Sequence, residues 1–178
     1  MYRYLQYLLS ALVLAPGVTF GDELMGSQSQ WTVTYVSNRG EYCNLAWDSG
    51  MGRKVEFQAG RDTIAWLVSN DAWKLAGSGG GEVDVVGRYR NWKFNGKAQS
   101  ATSLLLSDNT DSAASIRAIL TKAVRGGPDI QLKFPGTEPD WTVPISRLFP
   151  IHATVEKCMS RLRSTPISKP DQETTSPF

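Results

Sequence analysis

Trp31-Thr32-Val33-Thr34-Tyr35 and Thr63-Ile64-Ala65-Trp66-Leu67-Val68-Ser69 decide the fold class of this chain. In the first stretch apolar and polar residues alternate, the period of a strand with one buried face. In the second, Ile64, Trp66 and Val68 share one face and Ala65 and Leu67 the other, so both faces are partly apolar. The residues between repeat the pattern. Tyr42–Trp47 places Cys43, Leu45 and Trp47 on one side, Asp48-Ser49-Gly50-Met51-Gly52 breaks the strand, and Lys54–Gln58 turns Val55 and Phe57 inward. Turns are expected at Asn38-Arg39-Gly40, Gly60-Arg61-Asp62 and Asn70-Asp71, the last leading into a strand at Trp73–Leu75.

Working toward the C-terminus, Gly77-Ser78-Gly79-Gly80-Gly81 reads as a mobile hairpin loop. A glycine run cradles phosphate only beside a helix N-terminus or a P-loop lysine. Here Glu82-Val83-Asp84-Val85-Val86 follows, which is strand-like. Strands are expected at Glu82–Tyr89 and Trp92–Ser100, in a hairpin with Asn95-Gly96 near its turn. Asp111 or Ser112 then caps a helix whose apolar stripe is Ile116, Ile119, Leu120, Ala123 and Val124. Gly126-Gly127-Pro128 ends it. Further strands are expected at Ile130–Phe134 and Trp141–Ile145. Pro150 opens a second helix, with Ile151, Val155, Cys158, Met159 and Leu162 on one face. Short strands with regular turns suggest a sandwich or barrel. The expected fold is therefore α+β and β-rich: an antiparallel β-sandwich or half-barrel with one inserted helix and one C-terminal helix.

The N-terminus has a leader's layout. Arg3 supplies the positive region, Tyr7–Val18 an apolar run of about a dozen residues, and Thr19-Phe20-Gly21 the small residues of a cleavage site. A membrane anchor needs roughly 20 apolar residues. The organisation expected is a signal peptide at 1–21, a single exported globular domain at 22–163, and a disordered Ser/Thr/Pro-rich tail at 164–178. The protein is then periplasmic or secreted, with no membrane span in the mature chain. The cleaved chain, roughly 155 residues, suits one domain with one core. Formal charge is +2, which argues against a nucleic-acid partner, since such domains are usually strongly basic.

Export sets the reading of the two cysteines, Cys43 and Cys158. An even pair in an oxidising compartment is expected to form a bridge. A metal site is not expected: His152 is the only histidine, and no CxxC occurs. His152 would also stand on a different helical face from Cys158, away from a nucleophile's reach. It reads as exposed or capping. Asp48–Gly52 begins like a calcium loop but lacks the later acidic ligands. There is no GxSxG elbow, no cofactor motif, and no pair of carboxylates in a distinctive context.

Six tryptophans, at 31, 47, 66, 73, 92 and 141, are in phase with other apolar residues and read mainly as core. Trp92 stands apart because it lies between cations. The segment Arg88-Tyr89-Arg90-Asn91-Trp92-Lys93-Phe94-Asn95-Gly96-Lys97 holds four cations and no acid. Basic residues interleaved with aromatics suit an anionic polymer. The alternative is a plain hairpin guarded at its edge by lysine. The candidate ligand-binding residues are Arg88, Tyr89, Arg90, Trp92, Lys93 and Lys97.

The leader, the Trp31/Val33/Tyr35 strand, the central Cys43, Trp73-Lys74-Leu75 before a glycine-rich turn, and a terminal apolar helix together resemble small secreted bacterial proteins of the invasion-associated locus B type. The resemblance covers about half of the chain. The chain departs from that family in lacking its additional cysteines and in carrying a Ser/Pro tail. The resemblance implies a periplasmic or surface protein with a β-rich fold and no catalytic residues, and no site is carried over from it. The function expected is a non-catalytic binding or accessory protein of the cell envelope, its partner an anionic envelope polymer or another envelope protein. The rival readings are a cell-wall hydrolase with unidentified carboxylates, an inhibitor or immunity protein, and a host-contact virulence factor.

Overall fold

The structure, a computed structural model, describes residues 21–38, 40–76, 80–107 and 111–165. The leader up to residue 20, the tail from 166, Arg39, and residues 77–79 of the glycine stretch lie outside the described residues. Ten strands form one antiparallel sheet: β1 (Glu23–Gln28), β2 (Trp31–Val36), β3 (Tyr42–Asp48), β4 (Arg53–Ala59), β5 (Ile64–Asn70), β6 (Gly80–Val86), β7 (Asn91–Ser100), β8 (Ser103–Ser107), β9 (Ile130–Lys133) and β10 (Trp141–Val143). Their spatial order is β1-β2-β3-β4-β5-β8-β7-β6-β9-β10. The sheet curls into a half-barrel rather than splitting into a two-sheet sandwich. The two ends approach each other: Trp31 Nε1 on β2 donates to the carbonyl of Pro144, just past β10, at 3.1 Å.

Alternation along each strand sets which side chains fill the hollow. Val33, Leu45, Phe57, Trp66 and Leu106 stand opposite one another across five neighbouring strands, all buried. Rings continue the contact: Phe57 meets Trp66 with centroids 4.9 Å apart, and Trp66 meets Phe94 edge-on at 5.2 Å. Such pairs add to the burial of large apolar area.

Two helices and a 3₁₀ turn cover the core. Helix α1 (Ser112–Ala123) begins at Asp111, whose carboxylate accepts from the Ala114 N–H at 2.9 Å. It buries Ile116, Ile119 and Ala123, three residues of the stripe read from the sequence. A 3₁₀ helix (Ile145–Ile151) buries Ile145, Leu148 and Ile151 and runs into α2 (His152–Ser164). Cys158 and Leu162 are the buried residues of α2. Cys158 is bonded to Cys43 on β3, with Cα atoms 6.0 Å apart. Polar contacts hold the same helix. Arg61 donates to the Thr165 carbonyl, Arg161 pairs with Glu23 at 2.5 Å, and the Arg161 guanidinium lies 4.2 Å from the Tyr35 ring centroid.

Several local expectations are corrected. Trp73–Leu75 is a loop, tied by Leu75 N–H to the Ala101 carbonyl. Gly80 and Gly81 belong to β6, not to a linker. Asn95-Gly96 lies inside β7, and the hairpin turns at Gly87–Arg90. The glycine at 96 answers packing instead: a Cβ there would stand 3.3 Å from Leu104 Cδ1. Pro150 lies within the 3₁₀ helix, and α2 starts at His152. Trp141–Ile145 is strand only to Val143, and β1 and β8 are strands that the periodicity did not reveal.

The β1–β2 connection offers a stability test. Gln28 pairs with Trp31, so Ser29 and Gln30 form a two-residue turn, both with positive φ, 51° and 69°. That conformation suits glycine or asparagine and costs other residues roughly 1–2 kcal/mol. Gln30→Gly is expected to raise stability by about 1 kcal/mol in urea unfolding. No gain, or a loss, would show that the turn relaxes some other way.

Candidate functional site

The candidate residues divide along β7 by side-chain alternation. Trp92 and Phe94 point inward, whereas Lys93, Asn95 and Lys97 point to the outer face. Trp92 is only 7% exposed, so its ring forms part of the core. It does not offer the free flat face that its cationic neighbours suggested. Lys93 is not a free cation either. Glu82 and Asp84 on β6 stand beside it; Glu82 accepts its hydrogen bond and Asp84 lies 3.8 Å away. The hydrogen bond to Glu82, then the two negative charges, hold the Lys93 ammonium above its ordinary value. The segment has no acid in sequence, but register brings two from the neighbouring strand: Asp84 pairs with Lys93 and Glu82 with Asn95. Lys97 pairs with Gly80, at the end of the hairpin away from the turn.

Lys97 carries no ion pair among the described residues but stands alone at that far end; the cations that cluster are those of the turn itself. Gly87 N–H donates to the Arg90 carbonyl at 3.0 Å, and Arg88, Tyr89 and Arg90 project from it, all exposed. Gly87 is required here: a Cβ would meet the Arg90 carbonyl at 2.9 Å and the Trp92 ring at 3.0 Å. Trp92 thus packs under the turn and fixes its shape. The cations lie against rings. Arg88 lies 5.2 Å from the Tyr89 centroid, and Arg90 lies 5.6 Å from that of Trp92. Lys122, in the last turn of α1, reaches the Trp92 ring at 5.6 Å as well. No carboxylate among the described residues is within ion-pair distance of Arg88, Arg90 or Lys122. Asp129 is the acid next along the chain to this end, and it accepts from the Ser146 N–H at 3.1 Å.

Between these groups lies a hollow lined by Gly87, Trp92, Ile119, Pro128, Ile130 and Ile145 and rimmed by the three cations and Tyr89. Its volume, about 30 Å³, has room for about two waters. The sequence reading missed Lys122. The signal was present, since Ile119 and Ala123 fix the buried stripe of α1 and Lys122 borders it. What the stripe does not say is which strand turn that border meets.

A second cluster surrounds Glu138, in the β9–β10 loop. Its carboxylate accepts from Trp73 Nε1 and Trp141 Nε1, each at 2.7 Å, and from the Asn70 amide at 3.2 Å. Arg53 stands 3.6 Å from it and 5.4 Å from the Trp141 centroid. The Glu138 side chain is 16% exposed. These donors take up most of the acceptor positions of a carboxylate. Trp73 and Trp141 stack at 5.4 Å, and Phe134 packs 4.8 Å from Trp141. Beside the clamp is a pocket of about 160 Å³, lined by Trp73, Leu75, Val83, Leu104, Phe134 and Pro135 among others, with Glu138 as its one carboxylate. Glu138 ties Arg53 at the start of β4 and Asn70 at the end of β5 to Trp141 of β10.

The remaining candidates are placed plainly. His152 faces Glu156 one turn along α2, at 3.5 Å and partly exposed. The Asp48 carboxylate accepts from Gly50 N–H at 2.7 Å, so it caps its own turn. No helix among the described residues is long and apolar enough to cross a membrane. Comparison with family models, curated proteins and solved structures gives no match.

Proposed function

We propose that this chain is an exported, non-catalytic binding protein of the cell envelope, of the invasion-associated locus B kind, that holds an anionic envelope component. The binding face is the β6–β7 turn, Arg88, Tyr89 and Arg90, with Lys122 of α1 beside it and Trp92 beneath. The observation that carries the reading is three exposed cations backed by aromatic rings and, among the described residues, without carboxylate partners. Elsewhere on the surface Lys93, Lys133, Arg61 and Arg161 have acidic neighbours, and Lys97 and Lys157, which have none among the described residues, do not lie over a ring. Cations resting on rings keep their charge available to a partner, and their stems are already ordered. The Cys43–Cys158 bridge fits an oxidising compartment.

Titration with inorganic polyphosphate, a defined polyanion, tests the reading. Wild-type protein should bind, and binding should weaken steeply as salt rises, because screening acts over about 8 Å at physiological ionic strength. Reversal of two cations, Arg88→Glu with Arg90→Glu, should weaken binding by at least about tenfold. Thermal stability should hold within about 0.5 kcal/mol, since both residues are exposed. Equal binding by wild type and the double variant would remove this face from consideration.

A further inference from the structure

We infer that the anionic component is a lipid surface, and that the β6–β7 turn docks edge-on against phosphate-bearing headgroups with Tyr89 at the interface. This rests on the anionic-partner reading above and names the partner. Three features of the turn favour a surface over a strand of sugar polymer. The hollow at its base has a volume of only about 30 Å³, too small to enclose a sugar ring, which leaves the rim as the larger contact surface. The rim projects outward: Tyr89 is 76% exposed, the most exposed of the large apolar side chains described. A tyrosine with its ring in reach of apolar material and its hydroxyl in water is suited to the headgroup level of a bilayer.

The charges are placed to match. Arg88 and Arg90 flank Tyr89 directly, Arg88 lying over its ring. Lys122 approaches from the end of α1. The α1 terminus would oppose an anion through its free carbonyls. Here the Lys122 carbonyl accepts from Gly127 N–H at 2.9 Å, and the Ala123 carbonyl from Gly126 N–H at 3.0 Å. Those carbonyls are therefore occupied. Guanidinium groups hold phosphate oxygens in pairs, and the lysine adds a point charge. Each basic residue near an anionic bilayer strengthens partitioning by about fivefold at physiological salt.

The experiment is sedimentation with vesicles of phosphatidylcholine alone and of phosphatidylcholine with phosphatidylglycerol, run beside polyphosphate titration. Wild-type protein should sediment with the phosphatidylglycerol vesicles and not with phosphatidylcholine alone. Arg88→Glu with Arg90→Glu should lower vesicle partitioning by at least about tenfold. Tyr89→Ser should lower it by a larger factor than it lowers polyphosphate binding, because the bilayer takes up the ring as well as meeting the charges. Binding to polyphosphate without binding to anionic vesicles, or a Tyr89→Ser variant that sediments like wild type, overturns the lipid assignment and leaves the anionic-partner reading standing. Failure to bind either probe overturns both.

Discussion

Replacing Cys43 and Cys158 by alanine is expected to cost about 4–5 kcal/mol of folding stability, the value for a closed loop of about a hundred residues. The bridge spans a sequence separation of 115 and joins β3, in the middle of one half of the sheet, to the buried face of α2. Without it the helix is held by Leu162, by the partly buried Val155 and Met159, and by the Arg61, Arg161 and Tyr35 contacts, most of which are partly exposed. Exposed ion pairs contribute little. Urea unfolding of the oxidised protein and the double variant is the measurement, and reduction of the wild type should reproduce the variant. A midpoint unchanged within error would mean that α2 docks without the bridge.

Glu138→Ala is expected to cost about 3 kcal/mol, because it removes the acceptor of three side-chain donors, two of them on buried residues. Trp141 is buried, and the Trp73 and Trp141 indoles both donate to the removed carboxylate. Asn70, itself buried, loses the same partner. Glu138→Gln keeps the volume but turns one acceptor into a donor facing other donors, so it should recover only part of the loss. Urea unfolding gives the stability, and near-ultraviolet circular dichroism reports the stacked Trp73–Trp141 pair. A Glu138→Ala change below about 0.5 kcal/mol, the scale of an ordinary surface substitution, would show that the cluster is decoration rather than a clamp.

Local patterns carried the reading as far as local physics reaches. Alternation at Trp31–Tyr35 and Ile64–Val68 reports burial directly, so those strands and their inward residues were legible, as was the α1 stripe. The cysteine pair was legible because only two residues had to find each other. Asn95-Gly96 was misread because the same dipeptide that favours a tight turn also suits a strand interior where Leu104 and Leu106 crowd the backbone. The binding segment was half legible. Its charge was visible, but the acids that neutralise Lys93 come from β6 through register, and the cation that joins the site comes from α1. Glu138 was invisible for the same reason. Its donors Trp73 and Asn70 lie 65 and 68 residues away, and only Trp141 is near it in sequence.

The central claim is that the unpaired cations of the turn form the binding face, and not the whole basic run from Arg88 to Lys97. Arg90→Gln and Lys93→Gln, which remove one charge each, separate the two directly when each is titrated with polyphosphate at fixed low salt. Among the described residues Arg90 has no ion pair and lies against the Trp92 ring, whereas Lys93 is already engaged by Glu82 and Asp84. The account predicts a loss of about fivefold for Arg90→Gln and a change within about twofold for Lys93→Gln. A loss for Lys93→Gln equal to or greater than that for Arg90→Gln would contradict it.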